Sequence, residues 1–158
     1  MVLLLTAALL LGGSYIPAAA EDPVDPYTQS NANAHARPFS GDAMWRAFHG
    51  ADGVSRVVDG MVDRSIADNR IADIFKARDL VRLRRTLKEQ FCYILNGGCD
   101  YTGRTMQSAH KDLGVQTADM GALVEHLQAA MKAERIAFPA QNRFLAKLAP
   151  MKRAVIKQ

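Results

Sequence analysis

The chain has 158 residues, of which 49% are hydrophobic and 23% charged. This length and composition predict one folded domain with a single core and exclude a second domain of ordinary size. The formal net charge is +4, and the basic residues are scattered except at Arg82-Leu83-Arg84-Arg85 and Lys152-Arg153. The sequence therefore lacks the concentrated basic surface of a nucleic-acid-binding protein.

The N-terminus has the pattern of an export signal. Its apolar run from Val2 to Leu11 is too short to span a bilayer, which takes about 20 apolar residues. The small residues Ala18-Ala19-Ala20 stand directly before the first charges, as at a signal peptidase site. Residues 1–20 are therefore predicted to be a signal peptide. Because no basic residue precedes the apolar run, a start codon upstream of Met1, a weak signal and a retained anchor are the alternatives. We expect an exported protein, periplasmic in a bacterium, with no membrane span after cleavage.

Residues 21–40 predict a flexible linker. They hold three of the six prolines and show no hydrophobic period, so they bury too little surface to offset their ordering entropy. His35 lies in this segment without a second ligand at useful spacing, which argues against a metal site there. The folded domain is then predicted to occupy residues 41–158.

Apolar residues recur at helical spacing along this domain, and no segment alternates long enough to predict a strand, so the expected class is all-α. A short helix over Gly41 to Phe48 leads into a long helix from Asp52. The segment 69–78 predicts a short turn of helix. The residues expected to face inward on the first long helix are Val54, Val57, Val58, Met61, Val62 and Ile66.

Three further long helices follow. Asp79 is a good N-cap for the second, which Asn96-Gly97-Gly98 ends. Thr117 is expected to cap the third, and Pro139 fits the first turn of the fourth. Their predicted inward residues are, in order, Leu80, Leu83, Leu87, Phe91, Ile94 and Leu95; Met120, Leu123, Val124, Leu127 and Met131; and Phe144, Leu148, Met151 and Val155.

The stretch GGCDYTGRTMQSAHKDLGV, residues 97–115, predicts a short helix from about Thr105 to Leu113, with Gly114 ending it in the left-handed conformation. Met106, His110 and Leu113 lie at i, i+4 and i+7, which turns the histidine to the apolar side of its helix. Such a histidine is either a core residue with both ring nitrogens hydrogen-bonded or a ligand. The pattern alone leaves both interpretations open.

The sequence resembles the group I truncated haemoglobins from Phe48-His49-Gly50 to Val155-Ile156. The most specific agreement is in the segment just described, where GG, YTG, Met106 four residues before His110, and then LG follow in the order and spacing of the family. Further agreement comes from Ala67-Asp68, Phe75, Phe91 and His126-Leu127.

This resemblance implies a two-over-two α-helical sandwich that holds haem b, iron protoporphyrin IX, with His110 as the proximal iron ligand. One protein ligand leaves the opposite side of the iron open to O2, NO or CO. The other ring nitrogen is expected to donate to a backbone carbonyl near Met106, which fixes the tautomer. Because no CxxCH motif occurs, covalent attachment of the c type is not expected.

The resemblance also implies the remaining pocket residues. Phe75 corresponds to the phenylalanine that packs on the porphyrin face, and three residues of the distal helix lie above it: Leu83, Leu87 and Phe91. Ordinary core packing is the alternative for all four. Three residues are candidates for contacts with the haem carboxylates, since guanidinium groups suit carboxylates: Tyr101, Arg104 and Arg84. For the arginines, an exposed helix face is the alternative.

The distal side departs from the family. The family's aromatic pair ending in tyrosine corresponds here to Met61 and Val62, and its glutamine corresponds to Leu87. Losing a charge-assisted hydrogen bond of about 1.5 to 3 kcal/mol predicts roughly tenfold or greater weakening of oxygen binding. Gln90 is interpreted as a rim or surface glutamine, with a compensating donor as the alternative, and Thr86 is a weaker candidate. Such a pocket suits NO or CO, or a redox or haem-holding role, better than oxygen storage.

Cys92 and Cys99 leave two alternatives open. An exported protein can oxidise them to a disulfide that clips the second long helix to the following loop. Alternatively, Cys92 is a small core residue, and the sequence does not set the separation of the two Cα atoms.

No acid, base or nucleophile constellation is visible, so no catalytic residue is predicted. Nitric oxide dioxygenation or peroxidase-like activity rests on family analogy alone. The rival hypotheses are a haemless globin-fold interaction or sensor module and a periplasmic haem electron-transfer protein. The latter would pair its basic surface with an acidic redox partner or an unidentified reductase.

Overall fold

The computed structural model describes residues 19–156, so the predicted signal peptide lies, apart from its last two residues, outside the described residues. Within the described range the regular structure is helical and contains no strand, and the predicted all-α class is confirmed. No helix of this range is both long enough and apolar enough to cross a membrane.

The helices are labelled here in chain order. They are α1 (Ala43–Ala47), α2 (Gly50–Ala67), α3 (Ala72–Phe75), α4 (Leu80–Ile94), α5 (Met106–His110), α6 (Thr117–Ala133), α7 (Phe138–Leu148) and α8 (Lys152–Ile156). Short 3₁₀ turns span Asn31–Ala34 and Ala149–Met151. The second of these divides the predicted fourth long helix, because Pro150 has no amide hydrogen to continue the α-helical ladder.

The ends of α4 and α6 follow from local side chains. Asp79 caps α4 as predicted, and its Oδ1 accepts from the amide of Arg82 at 2.9 Å. At α6 the predicted cap is displaced by one residue. Gln116 is the cap, and it forms a reciprocal capping box with Asp119, whose Oδ2 accepts from the Gln116 amide at 2.8 Å.

The helix that carries the histidine is shorter than predicted. It ends at His110, because Lys111 turns to an extended ψ of 134°. Gly114 has the expected positive φ of 62°, but it lies in the following loop and does not cap α5. The N-terminus of α5 is held by Thr105, whose Oγ1 accepts from the amide of Ser108 at 3.1 Å.

The core lies where α2 packs against α6 and α4. Phe144 of α7 joins it, with its ring centroid 4.9 Å from that of Phe48 and 4.8 Å from that of Phe91, both edge-to-face. Two inward predictions are wrong: Ile66 and Val124 are each 37% exposed. Both stand at the border of their helix's apolar stripe, where a residue can fall on either side.

The segment predicted as a flexible linker is packed on the helical domain instead. Residues 21–34, called the N-terminal strap below, bury Ala34 completely. Tyr27 donates from its hydroxyl to the carbonyl of Thr102 at 2.8 Å, and Asn33 donates from Nδ2 to that of Gly103 at 3.1 Å. These hydrogen bonds join residues that are about 70 positions apart in the sequence. They order the strap, although the strap's own sequence shows no periodic pattern that would predict it.

Candidate functional site

A cavity of about 410 Å³ opens between α2, α3, α4, α5 and α6, and the strap forms one side of it. Its volume lies in the range of sites that take small molecules or cofactors. Most of its surface is apolar. Representative apolar lining residues from α2, α3, α4, α6 and the loop after α5 are Met61, Phe75, Leu83, Leu87, Leu123 and Leu113.

His110 lines this cavity with a fixed tautomer. Its Nδ1 lies 2.8 Å from the carbonyl oxygen of Met106, as predicted. Because a carbonyl only accepts, Nδ1 carries the hydrogen, and Nε2 keeps its lone pair. Burial lowers the pKa of His110, while the bond to Met106 acts in the opposite direction. The ring is therefore a neutral imidazole at pH 7, which is the form that binds a metal.

Seven of the ten predicted site residues lie around the same cavity. They are His110, Phe75, Leu83, Leu87, Tyr101, Arg104 and Val62. The structure thus brings together residues that are distant in sequence, from Val62 in α2 to His110 at the end of α5. It does so by folding α4 and α5 on either side of the same space.

The other three predicted residues do not line the cavity. Phe91 packs edge-on against Phe144 in the core, and Met106 is buried with its Sδ 3.8 Å from Nε2 of Gln90. Arg84 lies outside the cavity lining, and its guanidinium binds Asp59 and Asp63 of α2. Core packing, the alternative considered for Phe91, therefore describes the structure there, and Met106 is a core residue as well. The exposed helix face considered for Arg84 does not, because its side chain is only 24% exposed and is paired with α2.

The loop before α5 is shaped by one close contact. Tyr101 is buried, and its hydroxyl donates to the carbonyl of Arg104 at 3.0 Å. A Cβ on Gly103 would lie 2.2 Å from the Tyr101 hydroxyl oxygen, so only glycine fits there. Burial raises the pKa of Tyr101 to about 12, so the phenol stays neutral. Arg104 in turn donates to the carbonyl of Asp25 at 3.1 Å, and its guanidinium stacks over the Tyr27 ring.

Gln90 does not lie at the rim or the surface. It is 5% exposed, and its Nε2 donates to the carbonyl of Ala34 at 3.1 Å, away from the cavity lining. The interpretation as a surface glutamine is wrong because the strap covers this part of α4. Thr86 does line the cavity, but its hydroxyl is directed to its own helix, 2.9 Å from the carbonyl of Arg82.

Several lining residues were missed by the sequence reasoning, above all the basic ones: Arg78, Arg82 and Lys111. Arg82 and Arg84 flank Leu83 on α4, each about 100° around the helix from it. Periodicity therefore could not choose between them. The Nε of Arg82 is buried and forms no hydrogen bond with any described residue. Glu21 is nearby, with Oε2 at 3.3 Å, but not in hydrogen-bonding geometry.

Ser65 was missed as well. It lines the cavity from α2, together with Met61 and Val62, and its spacing from them puts all three on one face of the helix. Serine in a helix gives no sequence signal of its own. Only the folded structure shows that Ser65 belongs to the cavity lining.

A family model for bacterial-like globins matches residues 43–157. Group 1 truncated hemoglobin GlbN of Nostoc commune is 27% identical over 109 residues, which cover 69% of this chain and 92% of that protein. The homologous GlbN of Mycolicibacterium paratuberculosis is 26% identical over 102 residues, covering 65% of this chain and 75% of its own.

Solved structures share the fold at low identity. The truncated hemoglobin from Tetrahymena pyriformis in its Fe(III) form superposes with a TM-score of 0.68 at 20% identity, covering 72% of this chain and 97% of that one. The 2/2 hemoglobin from Synechococcus sp. PCC 7002, in the cyanomet state with covalently attached heme, gives the same TM-score and identity and covers 73% and 98%. The predicted two-over-two helical sandwich is confirmed by these likenesses.

Proposed function

The chain belongs to the bacterial-like globin family, and within it to the group I truncated haemoglobins; from this premise we propose that it binds haem b through His110 and offers the other side of the iron to O2, NO or CO. The observation that carries the proposal is the state of His110. A neutral imidazole with Nδ1 bound to Met106 faces an apolar cavity with a free Nε2 lone pair. That is the donor that haem iron takes from a proximal histidine.

The rim of the cavity fits the two carboxylates of a haem. Arg78, Arg82, Arg104 and Lys111 all line it. The buried Nε of Arg82 lies 3.3 Å from Oε2 of Glu21 but makes no hydrogen bond with a described residue, so it is a donor that an acceptor in better geometry would satisfy. A carboxylate is the acceptor that a guanidinium binds most strongly. Arg84, which is bound to Asp59 and Asp63, is not part of this proposal.

The part of the cavity formed by α2 and α4 favours ligands that need little polar stabilisation. Met61, Val62 and Leu87 present apolar atoms where the family resemblance led us to expect a tyrosine and a glutamine. Carbon monoxide carries little charge when bound, whereas oxygen gains charge and is retained by hydrogen bonds. We therefore propose weaker retention of oxygen than of carbon monoxide, with NO as a further ligand.

Haem binding is tested by the absorption spectrum of residues 21–158, recorded ferric, reduced, and reduced with CO. We expect stoichiometric hemin uptake, a five-coordinate ferrous spectrum and a sharp shift with CO, all lost in His110→Ala. The matched control is His35→Asn, which changes an exposed histidine of left-handed conformation to a residue that tolerates it. A protein that folds but takes up no hemin would instead support the haemless module.

Export is a second part of the proposal, with residues 1–20 as a cleaved signal peptide. It is supported by the disulfide between Cys92 and Cys99, with Cα atoms 5.7 Å apart, since disulfides persist in oxidising compartments. Edman sequencing or intact mass of the protein from a periplasmic extract should give Glu21 as the first residue. A retained Met1 would contradict cleavage.

A further inference from the structure

The N-terminal strap supplies part of the cavity wall, although it lies outside the region that matches the globin family. The family model begins at residue 43, whereas the strap ends at residue 34. Two strap side chains nevertheless line the cavity, those of Val24 and Tyr27. Tyr27 is half-buried, and the apolar Val24 is 49% exposed. In this chain, therefore, one wall of the candidate site is built from residues that the family model does not include.

Tyr27 is held by the loop that leads into α5. Its hydroxyl donates to the carbonyl oxygen of Thr102 at 2.8 Å. The guanidinium carbon of Arg104 lies 4.8 Å from the centre of the Tyr27 ring, within the range of a cation–π contact. Nη2 of Arg104 also donates to the carbonyl oxygen of Asp25 at 3.1 Å. The strap is thus fastened to the segment that directly precedes the helix of His110.

The first residues of the strap are held by α4 instead. The amide of Asp22 donates at 2.8 Å to Oδ2 of Asp79, the residue that caps α4. Oε2 of Glu21 accepts from Nη2 of Arg85 at 3.0 Å. The segment that contains Val24 therefore crosses from α4 to the loop before α5. Because α4 and α5 lie on either side of the cavity, Val24 lies where the strap spans the cavity's edge.

The arginines at this edge can bind the strap and a carboxylate at the same time. Arg82 and Arg104 both line the cavity, and they donate to the strap carbonyls of Asp22 and Asp25, respectively. A guanidinium has five N–H donors, so each arginine keeps donors for a further acceptor. The ring of Tyr27 limits the positions that the Arg104 guanidinium can take. The edge of a haem that carries its carboxylates therefore fits beside the strap.

We propose that the strap covers the carboxylate edge of a bound haem: Val24 and Tyr27 contact that edge, and Tyr27 positions the guanidinium of Arg104 for one haem carboxylate. The inference rests on the proposed haem binding through His110. Apolar contact removes porphyrin surface from water, which stabilises the complex in proportion to the area that is covered. The strap therefore slows the release of haem, in addition to what the helices of the globin domain contribute.

The competing explanation is that the strap only stabilises the fold. Ala34 is fully buried, and Asn33 donates to the carbonyl of Gly103 at 3.1 Å, yet neither strap residue lines the cavity. A purely structural strap predicts that changes at Val24 and Tyr27 lower the stability of the haem-free protein and affect haem release only to that extent. The test therefore needs haem release and stability measured side by side.

The first measurement is hemin transfer from the ferric complex of residues 21–158 to an excess of acceptor apoglobin. We expect transfer to become about threefold faster in Val24→Ser and about tenfold faster in Tyr27→Ala. The matched control is Val81→Ser, which changes a valine that is 38% exposed on α4 and lies outside the cavity lining. Its transfer rate should equal that of wild type. Urea unfolding of the haem-free proteins measures any loss of stability.

The second measurement tests whether Tyr27 positions Arg104. If it does, Tyr27→Ala should accelerate hemin transfer less in an Arg104→Met background than in wild type. The acceleration caused by Arg104→Met itself should be smaller for hemin dimethyl ester, which has no free carboxylates, than for hemin. Equal effects of Tyr27→Ala in the two backgrounds, or equal effects of Arg104→Met on hemin and its ester, would overturn the positioning role.

The outcomes distinguish this inference from the proposal on which it rests. If wild type takes up no hemin, the haem proposal itself fails. If hemin binds, but Val24→Ser and Tyr27→Ala release it as slowly as Val81→Ser, or faster only in proportion to their loss of haem-free stability, the strap is structural and the inference is wrong. Hydrogen exchange of the wild-type strap amides decides even where Tyr27→Ala does not fold: slower exchange with haem bound supports the cover, and equal exchange refutes it.

Discussion

Removing the disulfide should lower the free energy of unfolding by an amount that depends on the length of the loop that the disulfide closes. Cys92 at the end of α4 and Cys99 in the following loop are seven residues apart and are joined in the structure. A closed loop of about seven residues lowers the entropy of the unfolded chain by about 8 cal/mol/K, or about 2.4 kcal/mol at 25 °C. We expect Cys99→Ser to lose that much free energy of unfolding.

The choice of variant matters, because the two cysteines differ in environment. Cys99 is exposed, so serine there adds no buried polar group, whereas Cys92 is 5% exposed beside Trp45 and Gly97. A Cβ on Gly97 would lie 2.8 Å from the Cys92 sulfur and 2.7 Å from the Trp45 ring. This close packing holds the loop near α4 even without the bridge, so the native state should change little.

Urea unfolding of the haem-free protein, followed by circular dichroism, measures the effect. With a slope of about 2 kcal/mol/M, the midpoint should fall by about 1 M in Cys99→Ser. Wild type treated with a dithiol reductant should match the variant, and the variant should not respond to the reductant. Equal midpoints for oxidised wild type and variant would refute the loop-entropy reasoning. A loss far above 4 kcal/mol would also refute it, because it would place the effect in the native packing.

Three further expectations concern the strap and the cavity. Glu21→Gln removes the strap's ion pair with Arg85, so hemin transfer to an acceptor apoglobin should become a few-fold faster. The hydrogen bond from the Arg85 guanidinium lowers the pKa of the Glu21 carboxyl. The ion pair therefore stabilises the strap fully above about pH 4.3, the ordinary value for glutamate, and its contribution is lost as the pH falls through the lowered pKa. Wild-type hemin transfer should approach the variant's rate during this fall in pH, and a difference that never narrows would contradict the assignment. Val62→Tyr restores the family's donor, so stopped-flow mixing should show oxygen leaving about tenfold more slowly; unchanged release would mean that position 62 does not face the ligand.

The helices could be predicted because each is specified by residues close together in sequence. The cap at Asp79, the stop at Asn96-Gly97-Gly98 and the Pro139 start all act within one or two turns, and the apolar stripes repeat every three or four residues. The bond from His110 to Met106 is equally local, since it spans one helical turn. The part of the site around α5 could therefore be predicted from the sequence.

The part of the site formed by α4 and the strap could not be predicted from the sequence, because it depends on contacts between distant segments. Gln90 is buried where Ala34 of the strap, Met106 and Met151 lie against its amide. Arg82 rather than Arg84 lines the cavity because of how α4 is rotated against α2, where Asp59 binds Arg84. A linker rich in proline and asparagine carries no periodicity that would reveal such contacts. Composition predicts disorder for it whether or not a partner surface exists elsewhere in the chain.

The strap and the haem proposal support each other through the arginines of the rim. Arg104 uses one of its five N–H donors on the carbonyl of Asp25, and Arg82 uses one on the carbonyl of Asp22. Both guanidiniums therefore keep donors for a carboxylate while they hold the strap. A haem carboxylate at this rim would share the guanidinium of Arg82 with Glu21 of the strap, whose Oε2 lies 3.3 Å from Nε. Haem binding and strap closure should consequently favour one another, since each fixes the same two side chains in the orientation that the other needs.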